Sequence, residues 1–235
     1  MLCTSGLSPV AQEFSRASLI EFAGSLNVPV APECPRTAIE SRSRVISGAR
    51  TSVGDVDESS RLVDDDANTY AVTKRDTDAA LAAVDGITRV ILRPPAILGA
   101  GESSIWNSVR PAEIRDDPQA RHAVPRQSFA WVHVDDLAAL AAEVAAGRIP
   151  LSSDPALGPV DGGCTPVNVA AGAGTQRDYY ETVTTALGVQ PVWDEGPAWT
   201  GRILADRARR WGWTPTVDLP RALAEIADGL RLRSG

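Results

Sequence analysis

Tyr70 and Lys74 stand four residues apart in Asn68-Thr-Tyr-Ala-Val-Thr-Lys74, a spacing that projects both side chains from one face of a helix. Such a pair can move protons. A phenol has a reference pKa of about 10, and a neighbouring ammonium favours its phenolate, so the hydroxyl can exchange a proton with a substrate hydroxyl or carbonyl. The plain alternative is a packing tyrosine followed one turn later by a surface lysine. Composition argues against coincidence. Of the 23 basic residues all but Lys74 are arginine, and the chain holds 3 tyrosines. By chance a single lysine falls four residues after one of them about three times in 234.

The elements that must position this pair are legible after it more than before it. Leu81 and Val84 line one side of an alanine-rich helix that begins at Tyr70, with Gly86 placed to close it as a left-handed C-cap. Val90-Ile-Leu92 is apolar at consecutive positions, the pattern of a strand buried on both faces of a parallel sheet, and Pro94-Pro95 ends it. Phe129-Ala-Trp-Val-His133 predicts a second strand, followed by a helix capped by Asp135 with Leu137, Leu140 and Val144 in one stripe. Pro166-Val-Asn-Val-Ala170 predicts a third strand. Thr175 and Asp178 then start a helix with Tyr179, Val183 and Leu187 inward, and a last helix runs from about Leu219 to Leu230.

Upstream the signals thin out. A helix near 10–26 and a short strand at Arg44-Val-Ile-Ser47 are expected, followed by a solvated acidic loop carrying Asp55, Asp57, Glu58 and Asp64 to Asp66. The alternation of helix and strand predicts an α/β protein. A poorly readable segment occupies 1–44, and the readable elements divide between 45–148 and 149–235.

The hydrophobic share of 43% and charged share of 23% are those of an ordinary soluble protein. No apolar run suits a bilayer, and the N-terminus lacks the pattern of a secretory signal, so cytoplasmic residence without a membrane is expected. A net charge of −7 speaks against a nucleic-acid surface. Cys3, Cys34 and Cys164 have neither disulfide nor zinc spacing and are read as reduced thiols. A small-molecule substrate is the expected partner, with a homodimer left open.

Four segments together resemble the extended short-chain dehydrogenase/reductases, the NAD-dependent epimerase/dehydratase family. Asn68 to Lys74 is similar to the start of the family's catalytic helix, and Leu92-Arg-Pro-Pro-Ala-Ile-Leu-Gly99 to its strand-end motif beside the nicotinamide. Phe129-Ala-Trp-Val-His-Val-Asp-Asp136 resembles its "FVHVDD" segment. Arg210-Trp-Gly-Trp-Thr-Pro215 resembles its C-terminal ending.

The resemblance implies a Rossmann-like parallel sheet flanked by helices, with 45–148 a partial Rossmann-like catalytic region, 149–235 mainly a small C-terminal α/β substrate-binding lobe, and NAD or NADP as cofactor. It implies Tyr70 as general acid/base and Lys74 as the group that holds the nicotinamide ribose and lowers the pKa of Tyr70. Pro94, Pro95, Ala96 and Ile97 would wall the nicotinamide through their backbone. A serine or threonine on the loop Ser47-Gly-Ala-Arg-Thr-Ser-Val-Gly54 should orient the substrate oxygen. The usual position falls on Ala49, which leaves Thr51 or Ser52, with Thr51 favoured. His133 and Asp135 are read as structural, and Trp211 and Trp213 as core aromatics.

The glycine-rich turn that cradles a dinucleotide pyrophosphate has no counterpart before Tyr70. The first strands of a nucleotide-binding half are therefore expected to be missing or altered, and dinucleotide affinity to be low. Ala170-Ala-Gly172-Ala-Gly174, with Asp194 beyond, imitates such a turn, but Arg177 occupies the third glycine position and too little chain follows. Two functions stay open. One is an NAD(P)-dependent oxidoreductase or epimerase working on a hydroxyl or carbonyl carbon. The other is a truncated, non-catalytic relative that binds a small molecule or a partner. Arg110 and Arg121 could meet a phosphate or carboxylate of a substrate, or be plain surface charge.

Overall fold

The computed structural model describes residues 54–102 and 104–234. The expected helix near 10–26, the strand at 44–47 and Thr51 lie outside the described residues.

The first helix, α1 (Thr69–Ala82), starts where Asn68 accepts from the Ala71 backbone N–H at 3.0 Å, satisfying one orphan donor of the first turn. Three parallel pairings organise the chain: β1 (Arg89–Arg93) with β5 (Cys164–Asn168), β2 (Ala96–Leu98) with β4 (Ser128–His133), and β3 (His122–Ala123) with β7 (Val192–Trp193). Pro94 and Pro95 separate β1 from β2, as their lack of N–H donors requires. β4 is buried at every position, because β2 flanks one edge and the antiparallel β6 (Gly172–Thr175) the other.

The remaining helices are α2 (Val109–Asp116), α3 (Val134–Ala145), α4 (Gln176–Leu187), the short α5 (Asp206–Arg210) and α6 (Leu219–Ser234). A capping box between Thr175 and Asp178 starts α4 as the sequence predicts. Apolar side chains gather in two cores. One joins Val132, Leu140, Val167 and Val169 with Trp211 and Trp213. The other joins Leu98, Phe129, Tyr179, Val183 and Ile226. The α/β class with a parallel sheet and flanking helices is as expected.

Several local expectations fail for identifiable reasons. Asp135 does not cap α3: the buried His133 does, its Nδ1 accepting from the Asp135 N–H at 3.2 Å. Gly86 does not close α1, which ends at Ala83 in right-handed geometry; Gly86 turns the chain further on at φ +82°. Leu81 and Val84 are exposed, and Ala71 is the buried residue of α1. The third strand begins at Cys164 and ends at Asn168, two residues before the span read from its apolar pattern.

The acidic loop is not uniformly solvated either. Val56 is buried and bridges to Ile203, and Asp55 pairs with Arg202 at 2.7 Å. Glu58 accepts from the Asn168 N–H at 2.9 Å, tying the loop to the end of β5.

Candidate active site

α1 lies against β1 in the antiparallel sense. At the start of the strand Arg89 donates to the Leu81 carbonyl at 3.2 Å, and at its end Arg93 Nε bonds Asp78 Oδ2 at 2.7 Å. A helix advances about 1.5 Å per residue, so Lys74 and Tyr70 sit roughly 6 and 12 Å further along the helix axis, toward the carboxyl edge of β1. Ligands of open α/β sheets bind outside that edge. Pro94 and Pro95 leave β1 on the same side. The structure therefore brings the predicted pair and the predicted wall to one edge of the sheet.

Within the pair, the Lys74 ammonium lies over the Tyr70 ring, 5.6 Å from its centroid, within the range of cation–π attraction. Tyr70 is 44% exposed and Lys74 half-buried, so a ligand can reach both. Tyr70 also stands in the first turn of α1, where the positive end of the helix dipole favours a developing negative charge. Every other charged side chain of α1 is engaged. Arg75 bonds Asp76 at 2.8 Å and Asp65 at 2.7 Å, and Asp78 is held by Arg93.

Of the predicted wall, Ala96 is buried, while Pro94, Pro95 and Ile97 are half-buried. Ala96 and Ile97 are fixed by the ladder to Trp131 and Val132. The Ile97 carbonyl accepts from Ser104 Oγ at 2.5 Å, which gives this stretch an anchor on each side.

Other residues singled out in the sequence have structural occupations. His133 is 3% exposed and its Nε2 meets Glu225 at 2.9 Å, linking α3 to α6. Arg110 is not a surface charge: it is buried, bonded to the Tyr180 hydroxyl and paired with Glu113 at 3.2 Å. Arg121 donates to the carbonyls of Ile114 and Arg115. The glycines of Gly172-Ala-Gly174 form β6 itself, and a Cβ on Gly174 would come within 2.4 Å of Leu219. Asp194 pairs with His122 at 3.0 Å, so the imitation of a phosphate turn is a close approach of sheet to helix.

Two positions were not singled out by the sequence. Asp136 is buried and accepts from the Thr216 N–H, the Thr216 hydroxyl and the Val217 N–H, while its carbonyl accepts from Trp213 Nε1. Asp78, one turn beyond Lys74, is the other. Its spacing was a usable signal: 70, 74 and 78 form one stripe.

No family model and no curated protein matches the sequence. Solved structures do match. The UDP-glucose 4-epimerase of Thermotoga maritima with UDP-glucose superposes with a TM-score of 0.56 at 17% identity, over 82% of this chain and 62% of that one. MoeE5 in complex with UDP-glucose and NAD gives 0.56 at 18% identity, over 82% and 64%. RMD from Pseudomonas aeruginosa complexed with NADPH gives 0.51 at 18%, over 80% and 62%. The chain thus spans less than two thirds of these proteins. At such identities the likeness is one of fold, and the fold is the Rossmann-like α/β architecture of the epimerases.

Proposed function

We propose that the protein is an NAD(P)-dependent oxidoreductase of the epimerase type, acting on a hydroxyl-bearing or carbonyl carbon of a small molecule. The observation that carries this reading is the Lys74 ammonium over the exposed Tyr70 ring at the carboxyl edge of β1. Tyr70 moves the proton. Its hydroxyl donates to a substrate carbonyl as that oxygen gains charge, or accepts from a substrate hydroxyl in the reverse direction. Lys74 favours the phenolate and holds the ribose hydroxyls of the dinucleotide. The backbone of Pro94, Pro95, Ala96 and Ile97 forms the wall beside the nicotinamide.

NAD or NADP, when bound, supplies the hydride exchange. The described residues fit its reacting end: an accessible phenol, an ammonium without an ion-pair partner among the described residues, and a wall anchored on both sides. Thr51 is proposed as the hydroxyl that orients the substrate oxygen. The UDP-glucose bound in two of the solved neighbours makes a nucleotide sugar the first substrate class to try.

The test is a titration with NADH and NADPH followed by nicotinamide fluorescence, with turnover of UDP-glucose in the presence of NAD or NADP as the second arm. Saturable binding together with turnover that Tyr70→Phe abolishes is the expected result. Normal turnover by Tyr70→Phe would overturn the site.

A second reading has an observation of its own. The Gly172-Ala-Gly174 stretch is spent on β6 packing, which favours a module that binds a small molecule or partner without turnover. Absence of dinucleotide binding would select it.

A further inference from the structure

Tyr70, Lys74 and Asp78 follow one another at four-residue intervals, so Lys74 has a potential ion-pair partner on each side. One turn back is the Tyr70 ring and hydroxyl, one turn forward the Asp78 carboxylate. An aspartate four residues from a lysine would ordinarily attract its ammonium. Here that carboxylate is occupied by Arg93 at 2.7 Å, with side-chain exposures of only 10% and 16% for Arg93 and Asp78. A charge-assisted bond so shielded from water outcompetes a solvated contact to a flexible lysine. Lys74 makes no ion pair among the described residues, and its ammonium lies over Tyr70 instead.

We propose that Arg93 is a positioning residue that captures Asp78 and thereby leaves the Lys74 ammonium to Tyr70. This rests on the reading of Tyr70 as the proton-transfer group and adds what keeps its partner lysine in place. Arg93 is suited to the task because β1 ends on it, immediately before Pro94. One side chain then fixes the rotation of α1 against the strand and removes the competing carboxylate. The other charged groups about the pair are already committed: Arg75 to Asp65 and Asp76, with a further bond to the Val63 carbonyl at 3.0 Å. Release of Asp78 would therefore leave an uncommitted carboxylate one turn from Lys74 on the same helix face.

The experiment is an alkaline titration of the full chain followed by phenolate ultraviolet absorbance. Tyr70 is exposed, whereas Tyr179 and Tyr180 are 0% and 4% exposed. The first phenolate step is assigned by its absence in Tyr70→Phe. Arg93→Gln is expected to raise the midpoint of that step by about half a pH unit or more, because Lys74 turns to Asp78. Asp78→Asn is expected not to raise it, and Asp78→Asn/Arg93→Gln to return it to the wild-type position. Circular dichroism and urea unfolding confirm that each variant is folded, and Arg93→Lys covers a failure of Arg93→Gln to fold, with wild-type behaviour expected.

Three results would overturn the proposal: no shift in a folded Arg93→Gln, a rise that persists in the double variant, or equal and opposite shifts in the two single variants. The last is the signature of plain charge removal. Persistence of the first step in Tyr70→Phe would also sink it. Failure to bind NADH or NADPH with the shifts as expected would instead break the oxidoreductase reading and leave the role of Arg93 standing.

Discussion

Tyr70 and Tyr179 are the same side chain placed in opposite surroundings. Tyr70 begins a helix with one buried residue, is 44% exposed, and has an ammonium over its ring. Tyr179 is 0% exposed, stacks on Phe129 at 4.9 Å, meets the Trp106 ring edge-on at 5.3 Å, and donates its hydroxyl to the Trp106 carbonyl at 2.7 Å. Burial pushes the Tyr179 phenol well above its usual range, with Tyr180 adding to the rise and Arg110 opposing it. One phenol is open to water beside a cation, whereas a dry aromatic shell locks the other as a donor. The proposed chemistry falls on α1, the packing on the α4–α6 core.

The comparison is broken most directly by exchanging each hydroxyl for hydrogen. Tyr70→Phe is expected to lower turnover of UDP-glucose by about 100-fold or more, the scale of a lost general acid, with a urea midpoint close to wild type. Tyr179→Phe is expected to keep turnover and to lose about 1 kcal/mol of stability with its hydrogen bond. Comparable turnover in the two variants would show that the surroundings do not sort the two tyrosines.

Packing on the Tyr179 side gives the next effect. Phe129 is 2% exposed and its ring touches both Trp106 and Tyr179, so Phe129→Ala leaves a cavity that rigid neighbours cannot fill. A loss of about 3–5 kcal/mol is expected, read from urea unfolding. A loss below about 1 kcal/mol would mean that this cluster is not the stabilising core.

Legibility in the sequence followed the same division. The adjacency of Tyr70 and Lys74 was legible because a single lysine among arginines marks its position and a four-residue spacing on a helix brings the two together. The capping box of α4 was visible because Thr175 and Asp178 satisfy each other locally. His133 was legible as a structural residue, but the cap of α3 was assigned to Asp135 instead of to it, because a cap depends on which acceptor is buried beside the N–H, and Glu225 that fixes the ring comes 92 residues later. Arg110 was misread for a similar reason: its Tyr180 partner arrives through the fold. Leu81 and Val84 had the right types for an inward stripe, but α1 turns the side carrying Ala71 and Asp78 toward the protein. Local chemistry can be read from spacing, and long-range burial cannot.

The His133–Glu225 contact gives a smaller and pH-dependent effect. Burial raises the Glu225 carboxyl, but the hydrogen bonds from His133 and Arg221 outweigh it and hold it below its usual value. A carboxyl lowered in the folded state stabilises it above the unfolded pKa of about 4.3, and that contribution disappears as pH falls through the folded value. Glu225→Gln is therefore expected to cost about 1 kcal/mol near pH 7. The difference from wild type should shrink toward zero as pH falls below about 4. A difference that stays constant with pH would assign it to packing.

The smallest effect is expected on α1 itself. Leu81 is 42% exposed and Val84 45%, so neither gives up much water-shielded surface when replaced. Leu81→Ser is expected to change stability by no more than about 0.5 kcal/mol, measured by urea unfolding at several protein concentrations. The contrast with Phe129→Ala then separates an apolar residue that merely sits on a helix from one that holds a core. A loss near 2 kcal/mol that grows as the protein is diluted would show that Leu81 is covered by a second copy of the chain. α1 would then be an interface as well as the carrier of Tyr70 and Lys74.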